Sequence, residues 1–377
     1  MKIDIDLMLK ILILGTYGIP AKHGGSEICV QNLALYLSKL GHQIAVASTN
    51  IKVHNLPSNI RLIPLPRFNR TIIDFPLRNI LGTLYALIHR YDVIHYFGTD
   101  SGLFIKLLSF FKKNVIVTLD AFPWERDSYP SFLKKLLFAT SSLPFKYSKI
   151  SVCDSNEIIS KYNMLFPFTQ NKIEYIPYGS DVDFIENLDV LKSFNLVPND
   201  YYLFVGRFVE EKGIDLIIKT FKRFSTKRKL VIVGNASNEN KDYELKLRKS
   251  AQEDNRIIFT GKIYGNGYLT LMNNCYSYIN ASYVEGTSPV LIQAKMLRKK
   301  IIASNIPQNK ETLSDYGVFF ESGNITDFLS VLTAVENGDV IINNSKVASP
   351  DELDWERMTQ KYLKLYFKLV GRNTIDQ

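Results

Sequence analysis

Two segments of this 377-residue chain bring together residue types suited to a polyanion and to a polyol. In Tyr202-Leu-Phe-Val-Gly-Arg207-Phe-Val-Glu-Glu-Lys212-Gly213-Ile-Asp215, an apolar run passes through a turn into a helical pattern. Arg207 and Lys212 then fall at the C-terminal end of a strand, one a planar fork and the other a point charge, where a diphosphate could sit. Two neighbouring cations repel, and an anionic ligand explains the pair. The alternative is two solvated charges partnered by Glu210 and Glu211. In Asn280-Ala-Ser-Tyr-Val-Glu285-Gly286-Thr287-Ser-Pro-Val-Leu-Ile-Gln293-Ala-Lys-Met296, Glu285, Gly286 and Thr287 are expected at a helix start, with Gln293 two turns along. A carboxylate there accepts hydrogen bonds from sugar hydroxyls, and an amide lower on the same face can bond a ribose. Glu285 as a plain N-terminal helix charge is the alternative.

The first apolar run, Lys10-Ile-Leu-Ile-Leu-Gly15, leads into Thr16-Tyr-Gly-Ile-Pro-Ala-Lys-His-Gly24-Gly25-Ser-Glu27 and a helical stretch ending near Leu40-Gly41. Gly24 and Gly25 would let the backbone approach a ligand, and the unpaired N–H groups of the helix start favour an anion. Glycines needed only for the turn are the other reading. The loop lacks G-x-G-x-x-G and the second strand ends Val46-Ala-Ser-Thr49 without an acidic residue, so a dinucleotide fingerprint is excluded. In Val117-Thr-Leu-Asp120-Ala-Phe-Pro-Trp124-Glu-Arg126, Asp120 follows a strand end and could orient or deprotonate a hydroxyl, or serve as a loop cap. Asp181-Val-Asp183 spells D-x-D within a turn-rich linker, and the five histidines show no paired spacing. No metal and no cofactor are expected.

These residues need two frameworks to position them. Short apolar runs alternate with helical patterns, which predicts parallel sheets wrapped by helices, an α/β fold. Strands are expected at 10–15, 44–48, 61–64, 93–96, 114–119, 150–153 and 173–176, then at 202–205, 230–233, 256–260, 276–279 and 300–303. The pause across Pro177 to Asp200 divides the chain into domains at 1–178 and 179–350, two Rossmann-like doubly wound units with the site expected in a cleft between them. From 351 to 377 a closing helix is expected, its stripe formed by Trp355, Met358, Tyr362, Leu365, Tyr366 and Leu369.

The formal charge of +9 calls for an anionic partner. The cations are dispersed and no nucleic-acid motif is present, which argues against a nucleic-acid-binding protein. Three cysteines far apart, without metal-ligand spacing, suit a reducing, cytoplasmic compartment. The acidic N-terminal stretch argues against a secretory signal, and no run reaches the roughly 20 apolar residues of a membrane span. Leu103-Phe-Ile-Lys-Leu-Leu-Ser-Phe-Phe-Lys-Lys113 and Ser131-Phe-Leu-Lys-Lys-Leu-Leu-Phe138 interleave bulky apolar residues with lysine, so peripheral attachment to the anionic inner face of the cytoplasmic membrane is expected, with ordinary core-facing helices as the alternative.

Gly206-Arg207, Lys212-Gly213 and Glu285-Gly286, in this order and spacing, resemble the C-terminal signature of glycosyltransferase family 4, whose architecture is GT-B. The segment Gly15 to Glu27 is similar, more narrowly, to bacterial rhamnosyltransferases of capsule and O-antigen assembly. The resemblance implies a retaining transferase that moves a sugar, rhamnose from its deoxythymidine diphosphate form, to a hydroxyl of a lipid-linked saccharide. It also implies that Arg207 and Lys212 hold the donor diphosphate, that Glu285 touches the donor sugar, that Gly24 and Gly25 line the phosphate side, and that Asp120 serves the acceptor. The family carries Glu where this chain has Gln293, the position that contacts the nucleotide ribose. A nucleotide-sugar epimerase of the same fold is the rival reading.

Overall fold

The computed structural model describes residues 8–21, 24–51, 53, 55–68, 71–119, 122–125, 129–180, 182, 184–237, 240–340 and 354–372. The chain divides into two compact units, residues 1–179 with 353–377, and residues 180–352.

The first unit is built on a seven-stranded parallel sheet: β1 (Lys10–Leu14), β2 (Gln43–Ser48), β3 (Ile60–Pro64), β4 (Val93–Phe97), β5 (Val115–Leu119), β6 (Ile150–Cys153) and β7 (Ile173–Tyr175), in the order β3-β2-β1-β4-β5-β6-β7. The central strands are buried along nearly their whole length, as strands covered by helices on both faces must be. The second unit has six parallel strands: β8 (Tyr201–Val205), β9 (Lys229–Val233), β10 (Ile257–Gly261), β11 (Ser277–Asn280), β12 (Lys300–Ser304) and β13 (Val318–Phe320), in the order β10-β9-β8-β11-β12-β13. Both sheets are doubly wound, with the order reversing between β1 and β4 and between β8 and β11.

Strand β13 is absent from the sequence-based expectation. It is a three-residue edge strand whose only described neighbour in the sheet is β12, too short for a pattern to emerge.

The helix Trp355–Leu369 belongs to the first unit and buries Trp355, Met358, Tyr362, Tyr366, Phe367 and Leu369. Its tyrosines reach into the sheet. His95 on β4 is fully buried, with Nδ1 2.7 Å from the Tyr366 hydroxyl and Nε2 2.8 Å from the Thr118 hydroxyl. Thr118 in turn meets the Tyr362 hydroxyl at 2.8 Å. His95 is thus a core residue partnered by the closing helix.

Candidate functional site

Ligands of open α/β sheets sit outside the carboxyl ends of the strands where strand order reverses. In the second unit that point lies between β8 and β11, and the two segments singled out by sequence follow these two strands.

The two loops are tied together. Gly213 has φ 63°, and a Cβ there would lie 2.2 Å from the Ala281 carbonyl oxygen, so only glycine permits this approach. The Tyr283 N–H donates to the Glu211 carbonyl at 2.8 Å. Lys212 and Glu285, 73 positions apart, meet as an ion pair, their side chains 18% and 8% exposed. The same carboxylate oxygen accepts the Ser282 hydroxyl at 2.7 Å. Beneath it the Ser304 hydroxyl donates to the Ser282 carbonyl at 2.6 Å, and the Asn309 amide donates to Ser304 at 3.0 Å. Glu285 is therefore held by buried structure on one side and by a cation on the other.

Lys212 is not partnered by Glu210 or Glu211. Arg207 is exposed and forms no ion pair among the described residues. Of the two cations at this strand end, one is neutralised by Glu285 and the other stands open to an anion.

The helix after β11 runs Pro289–Met296, capped by Ser288, whose hydroxyl accepts from the Leu291 N–H. The cap and the proline at the first helical position set the start at 289, so Gln293 lies one turn along the helix rather than two. Its Oε1 accepts the Tyr268 hydroxyl at 2.7 Å. Gly286 and Thr287 occupy the half-buried loop between Glu285 and the cap.

In the first unit the loop after β1 is held from below. Arg78 pairs with Asp74 at 2.9 Å, both side chains almost fully buried. It also donates to the Thr16 carbonyl at 2.8 Å and lies over the Tyr17 ring. Ser48 donates to the Ile19 carbonyl at 2.9 Å and Thr49 to that of Tyr17. Gly24 precedes the helix Gly25–Lys39 in an extended conformation open to any residue. The positions that demand glycine here are Gly15, at φ 98°, where a Cβ would lie 2.0 Å from the Phe97 carbonyl oxygen, and Gly18, at φ 85°, where it would lie 2.6 Å from the Ala47 carbonyl oxygen. Glu27 is buried in the first helical turn, so this helix start already carries a carboxylate beside its N–H groups. Asp120 and Arg126, together with Asp181 and Asp183, lie outside the described residues. Trp124 packs against Phe122, Phe138 and Tyr162.

Asp74, Arg78, Tyr268 and Ser282 were not singled out by sequence. The i,i+4 spacing of Asp74 and Arg78 on one helix was the available signal.

The first unit also bears an apolar surface. The helix Ser131–Thr140 buries none of its residues, and Phe132 is 67% exposed. On the helix Gly102–Phe110, Leu103 and Leu107 are exposed and Phe110 is 81% exposed, with Lys106, Lys112 and Lys135 exposed nearby in sequence. Ile80, Leu84 and Ile88 of the helix Thr71–Ile88 add to this apolar exposure. Among the described residues, no helix is long and apolar enough to cross a membrane.

Residues 23–184 match the model described as Glycosyltransferase Family 4, and residues 192–347 match Glycosyl transferases group 1. The chain is 23% identical over 324 residues to the capsular polysaccharide biosynthesis glycosyltransferase CapM of Staphylococcus aureus, covering 81% of this chain and 77% of that protein. It is 23% identical over 184 residues to the N,N'-diacetylbacillosaminyl-diphospho-undecaprenol alpha-1,3-N-acetylgalactosaminyltransferase of Campylobacter jejuni, 48% of this chain and 47% of that protein. Among solved structures, Anabaena HepE in complex with UDP and glucose is similar with a TM-score of 0.77 at 16% identity, covering 96% of this chain and 100% of that one. A sucrose-phosphate synthase from Thermosynechococcus elongatus has a TM-score of 0.78 at 17% identity, covering 96% and 99%. At these identities the structural likeness establishes the fold.

Proposed function

We propose that this chain, a glycosyltransferase of the GT-B fold, belongs to family 4 and moves a sugar from a nucleoside diphosphate to a hydroxyl of a lipid-linked saccharide in surface polysaccharide assembly. The observation that carries this reading is the meeting of Lys212 and Glu285 at the reversal point of the second sheet, with Arg207 open nearby in sequence. Arg207 and Lys212 stabilise the leaving diphosphate, and Glu285 receives hydroxyls of the donor sugar. The arriving diphosphate competes with Glu285 for Lys212, which releases the carboxylate toward the sugar. Gly24 and Gly25 line the phosphate side, Gly286 and Thr287 flank Glu285, and Gln293 meets the ribose. Asp120 orients the acceptor hydroxyl. The cations serve in place of a metal, and transfer retains anomeric configuration.

The donor we propose is deoxythymidine diphosphate rhamnose, on the likeness of residues 15–27 to rhamnosyltransferases. The lipid-linked acceptor is supported by the diphospho-undecaprenol in the name of the Campylobacter jejuni relative, and the polysaccharide setting by the capsular role of the Staphylococcus aureus one. Peripheral attachment to an anionic membrane is supported by the exposed Phe110 and Phe132 with their neighbouring lysines.

A thermal-shift panel of nucleotide sugars tests the donor, since a ligand at 100 times its Kd adds about 2.7 kcal/mol of stability. Deoxythymidine diphosphate rhamnose is expected to give the largest shift; a panel without any shift overturns the reading. Product analysis with and without a polyprenyl-diphosphate saccharide separates transfer from epimerisation of the donor alone. Co-sedimentation with anionic but not neutral liposomes tests the membrane surface, and equal, negligible binding to both removes it.

A further inference from the structure

We propose that Tyr268 is a positioning residue of the donor site: its hydroxyl fixes the Gln293 carboxamide and thereby sets how tightly the nucleoside diphosphate is held. The proposal rests on the reading of Gln293 as a donor contact.

Tyr268 stands in the first turn of the helix Gly265–Asn274, and Gln293 in the helix Pro289–Met296. The hydroxyl donates to Oε1 at 2.7 Å, a normal length for a neutral O–H···O bond. Both ends of this bond are anchored. The Tyr268 ring packs against the buried cluster that contains Leu271, Met272, Leu291 and Ala294, residues drawn from the same two helices. The hydroxyl and the amide therefore share one framework, and the bond between them does not depend on a mobile loop.

Gln is a long side chain with rotamer freedom to lose when it grips a ligand, and it has no charge to compensate. A contact fixed beforehand removes that loss from the binding step. The bond also holds the amide oxygen toward Tyr268, and an amide oxygen has a second lone pair with which to accept from a ribose hydroxyl. Burial pushes the Tyr268 hydroxyl far above the ordinary phenol range, with Cys275 adding to the effect, so it remains a donor at every working pH. The tether therefore does not switch with pH.

Calorimetric titration of UDP and of dTDP into the full chain tests this without knowledge of the sugar or acceptor. The set is the wild type, Tyr268→Phe, Gln293→Ala and the double variant, with thermal midpoints taken in parallel. Tyr268→Phe keeps the ring and its packing, and is expected to weaken binding about three- to tenfold, within the net range of one neutral hydrogen bond. The double variant is expected to bind no more weakly than Gln293→Ala, because Tyr268 acts only through the amide. Wild-type affinity in Tyr268→Phe overturns the proposal. So does an equal loss from Tyr268→Phe in both backgrounds, which would mark Tyr268 as a packing residue. If Gln293→Ala binds like wild type while Arg207→Ala does not, the donor reading of Gln293 fails and takes this proposal with it. If neither nucleotide binds the wild type, the donor site itself is misassigned.

Discussion

The loop after β1 and the loop after β8 share one construction, strand, turn and helix, yet they use charge differently. Around the first, the Asp74–Arg78 pair is buried and its groups are turned to structure: Arg78 holds Asp74, the Thr16 carbonyl and the face of Tyr17, and Asp74 accepts the Phe68 N–H. Around the second, the Lys212–Glu285 pair retains partial exposure and Arg207 is open. Charge sealed beneath a loop shapes its backbone. Charge left at the mouth of a loop can be transferred to a ligand. By this contrast the charges around the first loop brace its backbone, and those around the second remain available to an anion.

The largest effect should come from breaking the sealed pair. Arg78→Met strands Asp74 in the interior, and urea unfolding is expected to show a loss of about 3–5 kcal/mol. Near-wild-type stability would mean that the pair is not what holds the loop.

Next comes the open pair. Arg207→Ala should reduce turnover by about 10²–10³ while stability stays within about 0.5 kcal/mol of wild type. Lys212→Ala should lose turnover similarly and also stability, by about 1–3 kcal/mol, because Glu285 keeps only the Ser282 hydroxyl among the described residues. Equal stability of the two variants would erase the distinction between paired and open cations.

A smaller effect concerns acid. Burial holds His95 at about 3 and His42 at about 4, against the ordinary 6.5, and both lie in the first unit. The native state keeps both rings neutral while the unfolded chain takes up protons below 6.5, so stability falls as pH drops from there toward 4 and 3. His95 alone should account for roughly 2 kcal/mol at pH 5. Unfolding measured at pH 7 and pH 5 on wild type and His95→Gln checks this. The variant should lose part of the pH dependence, and an unchanged dependence assigns it elsewhere.

The smallest effect is expected from Gln293→Glu. A carboxylate accepts from Tyr268 and from ribose hydroxyls more strongly than an amide does, so the donor KM should hold or fall. A clear rise would show that the amide N–H is the group in use.

The strands of both sheets were legible because parallel strands buried on both faces read as continuous apolar runs: Lys10–Leu14 and Tyr201–Val205 need no tertiary knowledge. The edge strand Val318–Phe320 is too short to stand out, whereas the start at Pro289 was signalled by the Ser288-Pro289 pair, a cap followed by a proline at the first helical position. In the candidate site, residue types pointed to Arg207, Lys212 and Glu285 separately. That Lys212 and Glu285 bind each other is a contact across 73 positions, which no periodicity encodes. Nothing in the sequence sets Tyr268 apart, because a phenol packed on a core and a phenol holding an amide have the same sequence signature.

The return of the helix Trp355–Leu369 to the first unit has a consequence for biosynthesis. A chain emerging from the ribosome presents residues 1–179 first, but the cover of that unit arrives only after residues 180–352 have been made. Until then His95 and Thr118 await the hydroxyls of Tyr366 and Tyr362, and Cys29 awaits its contact with Met358. The second unit, contiguous in sequence, can therefore complete its core while the first waits unsealed, so the half of the molecule that is synthesised first is the half that matures last.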